Sequence, residues 1–284
     1  MALNLDVVGR KTDPIPFRYT WRDAVLYALG VGAKADRELD FLYDGRGPRV
    51  LPTFAVVPCF QSLVQITLNL GANLAMVVHG EQKTILHRPL PSEATLTTVS
   101  EAIAVYDKGP GKGAVVVVEA KTVDERGAPV FDNVFSVFLR GAGGFGGARG
   151  PEAPRSEIPS ERAPDFEITE TTTPEQALLY RLSGDYNPLH ADPGFARLGG
   201  FDRPILHGLC TFGFAGRHVI KAFSKNDPRY FKSIKVRFSD SVFPGETLIT
   251  EMWKESDTKI VFRCKVKERD KVVISNAAIE LYKE

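Results

Sequence analysis

Two stretches of this 284-residue chain carry one pattern at a constant spacing, and that duplication limits the fold more than any other feature. Trp21 to Ala33, WRDAVLYALGVGA, lies over Pro174 to Tyr186, PEQALLYRLSGDY, so that Ala24, Leu26, Tyr27 and Leu29 fall on Ala177, Leu179, Tyr180 and Leu182. His87 to Thr98, HRPLPSEATLTT, then resembles Ser239 to Thr250, SDSVFPGETLIT, and PVFDNVFSVFLR resembles VVISNAAIELYK more loosely. The blocks keep their order, so the chain reads as two copies of one unit, residues 1–140 and 165–284. Between them, 141–164 trades apolar periodicity for Gly, Pro, Ser and charge, which predicts a flexible linker. Gly141, Gly143 and Gly146 match G-x-G-x-x-G, but Gly147, Gly150, Pro151 and Pro154 follow where a phosphate-binding helix would have to start. A dinucleotide fold is thereby disfavoured.

Each copy reads as a short helix, a longer helical stretch and then several strands. In the second copy, Thr173, Pro174, Glu175 and Gln176 take the positions of an N-cap and the first three helical residues, with Pro tolerated at N1 and Gln completing a capping box. A second helix is predicted from about Leu206–Gly208 through LCTFGFAGRHVIKAF, apolar enough to be buried. IKVRFSDSV, ETLITEMWKE, KIVFRCKVKER and KVVISNAAIELYK are rich in β-branched and aromatic residues and read as strands around it. An antiparallel sheet wrapped around one central helix is an α+β hot dog; two copies make a double hot dog.

Lys and Arg number 36 against 35 Asp and Glu, so no basic field points to nucleic acid. Hydrophobic residues at 43% and charged residues at 25% match an ordinary globular composition. Cys59, Cys210 and Cys264 form no CxxC pair, which disfavours a disulfide framework or a zinc ribbon. No stretch is long and apolar enough to span a bilayer, and neither a secretory leader nor an SKL tail is recognisable. The expectation is a cytoplasmic protein, or a peroxisomal one if this chain is excised from a longer multifunctional enzyme.

Reactive residues concentrate in YRLSGDYNPLHADP, Tyr180 to Pro193, where Asp185, Asn187 and His190 follow a helix stop and Pro188 forbids the helix from continuing. A turn can aim a carboxylate, an amide and an imidazole into one cleft, where an Asp and a His can share a water. Farther on, RPILHGLCTFG places Gly208 at a helix start, with a free backbone N–H at the positive end of the helix dipole. His207 reads as structural at that start, and His87 and His218 as surface or core. Cys210 reads as a packed thiol. No HExxH spacing supports a metal, and G-x-S-x-G is absent.

The run Y-R-L-S-G-D-Y-N-P-L-H, with Phe195 and Ala196 after it, resembles the signature of the R-specific 2-enoyl-CoA hydratases, the MaoC-like or type-2 hydratases. GFDRPILHGLCTFGFAGR and the two-copy layout extend the resemblance over nearly the whole chain. It implies hydration of trans-2-enoyl-CoA to (3R)-3-hydroxyacyl-CoA in fatty-acid metabolism, with no metal or redox cofactor, CoA being part of the substrate. It implies that Asp185 and His190 are catalytic, that Asn187 orients and that Gly208 serves the oxyanion. It also implies acyl-CoA contacts at His79, Gly80, Lys108 and Phe238, with Tyr186, Pro188 and Leu189 from the signature itself. Gly32 and Arg37 stand in the first copy where Asp185 and His190 stand in the second. That copy is therefore expected to be catalytically empty and to bind the acyl chain and CoA, with tolerance for medium and long tails. A homodimer is expected by analogy with other hot dogs. Two other readings stay open: acyl-CoA thioester hydrolysis, and a non-catalytic acyl-CoA-binding module.

Overall fold

The computed structural model describes residues 3–152 and 156–283. Residues 153–155 of the expected linker, with Pro154 among them, lie outside the described residues, as do 1, 2 and 284.

The first half runs β1 (Ile15–Tyr19), α1 (Trp21–Gly30), α2 (Phe60–Asn69), β2 (Val77–Leu86), β3 (Ala94–Asp107), β4 (Gly113–Asp124) and β5 (Pro129–Arg140). The second runs β6 (Phe166–Thr171), α3 (Gln176–Tyr180), α4 (Pro193–Leu198), α5 (Gly208–Phe223), β7 (Phe231–Phe238), β8 (Thr247–Lys254), β9 (Lys259–Val266) and β10 (Lys271–Leu281). The strands join in one antiparallel ten-stranded sheet in the order β1-β3-β4-β5-β2-β7-β10-β9-β8-β6. Read outwards from its centre, the order repeats: β2, β5, β4, β3, β1 on one side and β7, β10, β9, β8, β6 on the other. The duplication in the sequence is thus a duplication in space, a double hot dog whose halves meet edge to edge where Glu81 to Ile85 pair with Arg237 to Ser233.

Alternating burial along β4 and β5 shows why these strands form: one row of valines and phenylalanines faces the helices while the other row is partly exposed. In the first half α2 packs on β3, and in the second α5 packs on β7, β8 and β10. α5 is sixteen residues long and buried from Leu209 to Ile220. Its glycines let the first half come close, since a Cβ at Gly213 would lie 2.3 Å from Val31 Cγ1 and one at Gly216 would lie 2.6 Å from Thr53 Cγ2. α5 begins at Gly208, inside the range expected from sequence. The expected capping box survives in part, with the Thr173 N–H donating to Gln176 Oε1 at 3.3 Å, although the regular helix starts only at Gln176.

Composition misjudges one element. The Gly-rich stretch after β5 is pinned, not tethered loosely: the buried Asp107 carboxylate accepts from Gly109 N at 2.8 Å, Gly144 N at 2.7 Å and Gly146 N at 2.8 Å, and Asp107 N donates to Ala148 O. These donors hold the carboxyl below the usual range. A Cβ at Gly143 would lie 2.4 Å from two carbonyl oxygens, so close approach of backbones explains this glycine better than flexibility does.

Candidate active site

α3 continues as a 3₁₀ turn to Ser183 and stops at Gly184, whose φ of +120° is open to glycine. The chain then makes two successive side-chain turns: Asp185 Oδ1 accepts from Asn187 N at 3.2 Å, and Asn187 Oδ1 accepts from Leu189 N at 3.0 Å. Pro188 opens the short turn that ends on His190. Asp192 then caps α4 through Phe195 N. Small polar residues and one proline thus fold nine positions into a tight, locally satisfied loop.

His190 is buried and its Nδ1 lies 2.9 Å from Ile205 O. A carbonyl only accepts, so Nδ1 carries the proton and Nε2 presents a lone pair. The His207 Nε2 lies 3.1 Å from Asp185 O and by the same rule is the donor. The two imidazoles stack at 3.7 Å with planes 28° apart, and atoms of Asp185, His190 and His207 lie within 4.8 Å of one another. Burial raises the Asp185 carboxyl to about 6, only partly opposed by the Asn187 N–H and Arg181. Burial lowers His190 to about 4 and takes His207 well below its ordinary value. Near neutrality the cluster therefore holds a mostly ionised carboxylate against a neutral imidazole lone pair.

Gly208 follows His207 directly as the first residue of α5, where a helix leaves its N–H without an intrahelical acceptor. Cys210 N and Thr211 N, by contrast, donate back to His207 O. Phe238 lies over Gly208, with ring carbons 3.4 Å from where a Cβ would stand, and its ring is 4.9 Å from that of His79. His79, Gly80, Phe238 and Gly208 thus border one region; Gly80 sits in a bulge of β2 where a side chain would crowd Ser136 O at 3.2 Å. Leu189 is buried and meets Gly199, whereas Tyr186 is exposed beneath the Arg181 guanidinium and Pro188 is exposed. The Lys108 ammonium lies on Arg149 O at 2.5 Å and over the Tyr106 ring.

His207, read from sequence as structural at the helix start, touches both Asp185 and His190. Cys210 is a packed thiol, 3.3 Å from Gly30 O. His87 pairs with Asp132 at the surface and His218 is buried in the core. In the first half, a Cβ at Gly32 would lie 2.3 Å from Phe214 Cε1, and Arg37 is an exposed partner of Asp36. Neither supplies a carboxylate–imidazole pair.

Fold and site together define a double hot dog whose second half holds a cluster of Asp185, His190 and His207. The chain belongs to the MaoC-like, type-2 hydratase family: residues 156–277 match the MaoC like domain and residues 17–141 the MFE-2 hydratase 2 N-terminal domain. It is 42% identical over 277 residues to the probable enoyl-CoA hydratase 2 of Dictyostelium discoideum, covering 95% of this chain and 93% of that one. It is 44% identical over 282 residues to the peroxisomal multifunctional enzyme type 2 of Mus musculus, covering 96% of this chain but spanning only 38% of the mouse protein. The crystal structure of a MaoC-like dehydratase from Phytophthora capsici superposes with a TM-score of 0.86 at 37% identity, covering 99% of this chain and 98% of that one. No helix among the described residues is long and apolar enough to cross a membrane.

Proposed function

We propose that the chain adds water reversibly and syn to trans-2-enoyl-CoA, giving (3R)-3-hydroxyacyl-CoA. The observation that carries this reading is an ionisable carboxyl and a neutral imidazole lone pair, held together beside the first N–H of a long helix. A water donating to Asp185 and to His190 Nε2 keeps an oxygen lone pair free to attack the β-carbon. As the C–O bond forms, one O–H bond breaks, its proton passes to the cluster, and one proton is delivered to the α-carbon on the same face. Asp185 is the better proton holder, because its carboxyl sits near 6 while His190 sits near 4. Asn187 fixes the loop that carries both. The Gly208 N–H meets the thioester oxygen as enolate charge builds, an interaction stronger in the transition state than in the ground state. His79 and Phe238 line the approach to Gly208.

The test mixes the protein with trans-2-decenoyl-CoA and follows the enoyl-thioester absorbance, with R- and S-specific dehydrogenases typing the product and Asp185→Ala as control. R product that disappears in the variant is expected. Binding without loss of absorbance would leave a binding module, and release of free CoA thiol would make the protein a thioesterase.

A further inference from the structure

We propose that His207 is a positioning residue that clamps Asp185 and His190 in one register, by donating to the Asp185 carbonyl and stacking on the His190 ring. This deepens the hydratase reading and rests on it for the activity readout alone.

His207 is the N-cap of α5, yet its side chain makes no cap hydrogen bond. It turns instead to the loop twenty-two positions earlier in sequence, where Nε2–H meets Asp185 O at 3.1 Å. Its ring lies between two others, stacked on His190 at 3.7 Å and tilted against Tyr180 at 4.9 Å. The loop's hydrogen bonds around Asp185 are short-range, with Asp185 bonding two residues ahead, Asn187 two residues ahead and Arg181 Nη2 reaching Tyr186 O at 3.2 Å, while His190 at its far end is tied to Ile205 O just before α5. His207 is the contact that ties Asp185 and His190 to the rigid helix at once, and the same residue precedes the Gly208 N–H. One side chain therefore relates the water-binding pair to the oxyanion donor.

The tautomer follows from the acceptor. With Nε2 protonated, His207 Nδ1 holds a buried lone pair that meets no donor among the described residues. Nothing there repays a proton, and burial, the neighbouring His190 and Arg181 all oppose one. A charged His207, with Nε2 4.0 Å from Asp185 Oδ2, would pull that carboxyl down. A neutral His207 leaves it desolvated and poised. The charged and titratable groups facing the carboxyl are His190, His207 and Arg181, with Tyr180 behind the His207 ring.

Two variants separate the contacts. His207→Phe keeps a ring against His190 and loses the donor; His207→Gln keeps a side-chain N–H near the carbonyl and loses the stack. The phenylalanine variant is expected to fold and to bind trans-2-decenoyl-CoA with KM changed less than about threefold. Its kcat should fall by roughly 10²-fold, the scale of a small misplacement of reacting groups. Its acid limb should move down from about 6 toward the ordinary carboxylate range as the freed loop takes in water. The glutamine variant should keep the limb and recover part of kcat. A role confined to supporting the fold would lower the melting temperature and leave the limb in place, and that result overturns the proposal, as does unchanged kcat in both variants. Carbon-detected NMR titration of the Asp185 carboxyl reads the same displacement without turnover, so the clamp is testable even if the wild-type protein hydrates nothing.

Discussion

At the scale of single residues, burial moves the carboxyl and the imidazole that share the site in opposite directions, Asp185 up and His190 down. The Asp185 carboxyl is raised to about 6 by burial, so the carboxylate needed to take a proton from water is lost as pH falls through that value. The expected kcat/KM profile against trans-2-decenoyl-CoA has an acid limb near pH 6, with His190 adding its own loss only near 4. A limb near the ordinary value of 4 would show that the carboxyl is not desolvated in the working enzyme. Stability runs the other way. A carboxyl raised above its unfolded value favours the fold while protonated and loses that contribution as pH rises through about 6. Asp185→Asn is thus expected to abolish activity yet stabilise the protein at pH 7 by roughly 1–3 kcal/mol in urea unfolding, with the gain vanishing by pH 4. Gly208 permits a similarly clean test, because proline is tolerated at the first position of a helix and His207 already has the extended backbone that precedes proline. Gly208→Pro should retain the fold and lose kcat by ~10²–10³, the usual effect of removing one oxyanion donor, while Gly208→Ala keeps the N–H and most of the rate. The turn that carries Asp185, Asn187 and His190 and the helix start at Gly208 were legible in the sequence because a turn signature and a helix start are local. The part played by His207 was not, since its value lies in a contact between segments that only the fold brings together.

At the scale of elements, α5 does more than fill a sheet. Its Arg217 is fully buried and reaches into the first half, donating from Nη1 to Glu38 at 2.7 and 2.9 Å and from Nε to Val31 O at 3.0 Å. Its Nη2 pairs with Glu170 of β6, which also accepts from His218 Nε2 at 3.1 Å. Such a cluster is costly to break from one side. Arg217→Ala leaves Glu38 buried without its counter-charge and is expected to destabilise by about 3–5 kcal/mol in chemical unfolding. Burial alone would raise the Glu170 carboxyl, but the His218 and Arg217 partners outweigh it and bring the group down to about 2. Its contribution is present above the unfolded value near 4.5 and lost as pH falls toward 2. The stability difference between wild type and Glu170→Gln should therefore shrink over that window; a constant difference would count against the pairing. None of this was readable from sequence, where Arg217 stands in an apolar helix and its partners lie far away. The strands β7 to β10 and the start of α5 were readable, because periodicity and turn residues mark them locally. The edge strands β1 and β6 were missed: IPFRY and FEITET are short, and an edge strand has little apolar alternation to display. The Gly-rich segment was misread because glycine marks both flexible chain and close backbone contact, and only Asp107 decides between them.

At the scale of the molecule, two copies of one unit have diverged in what each supplies. The first keeps the longer strands, β3 at fourteen residues against eight for β8, while the second keeps the longer helix, α5 at sixteen against ten for α2. Neither half is closed without the other. The β2–β7 pairing continues the sheet across the middle, Gln176 Nε2 caps the end of α1 at Gly30 O at 2.7 Å, and Cys210 reaches the same carbonyl. α5 also packs its glycine face on Val31 and Thr53. A second half alone would expose that apolar face, leave Arg217 without Glu38 and leave β7 with an unpaired edge, three defects that each favour aggregation or a loosened core. Residues 156–283 expressed alone are therefore expected to show no cooperative urea transition and no hydration of trans-2-decenoyl-CoA. Mixing them with residues 3–152 should restore both, with an apparent stability that rises with concentration because folding is then coupled to association. Full activity and a sharp transition in the isolated second half would show instead that the catalytic loop and α5 are supported without the first, and that the duplication serves the substrate and not the fold.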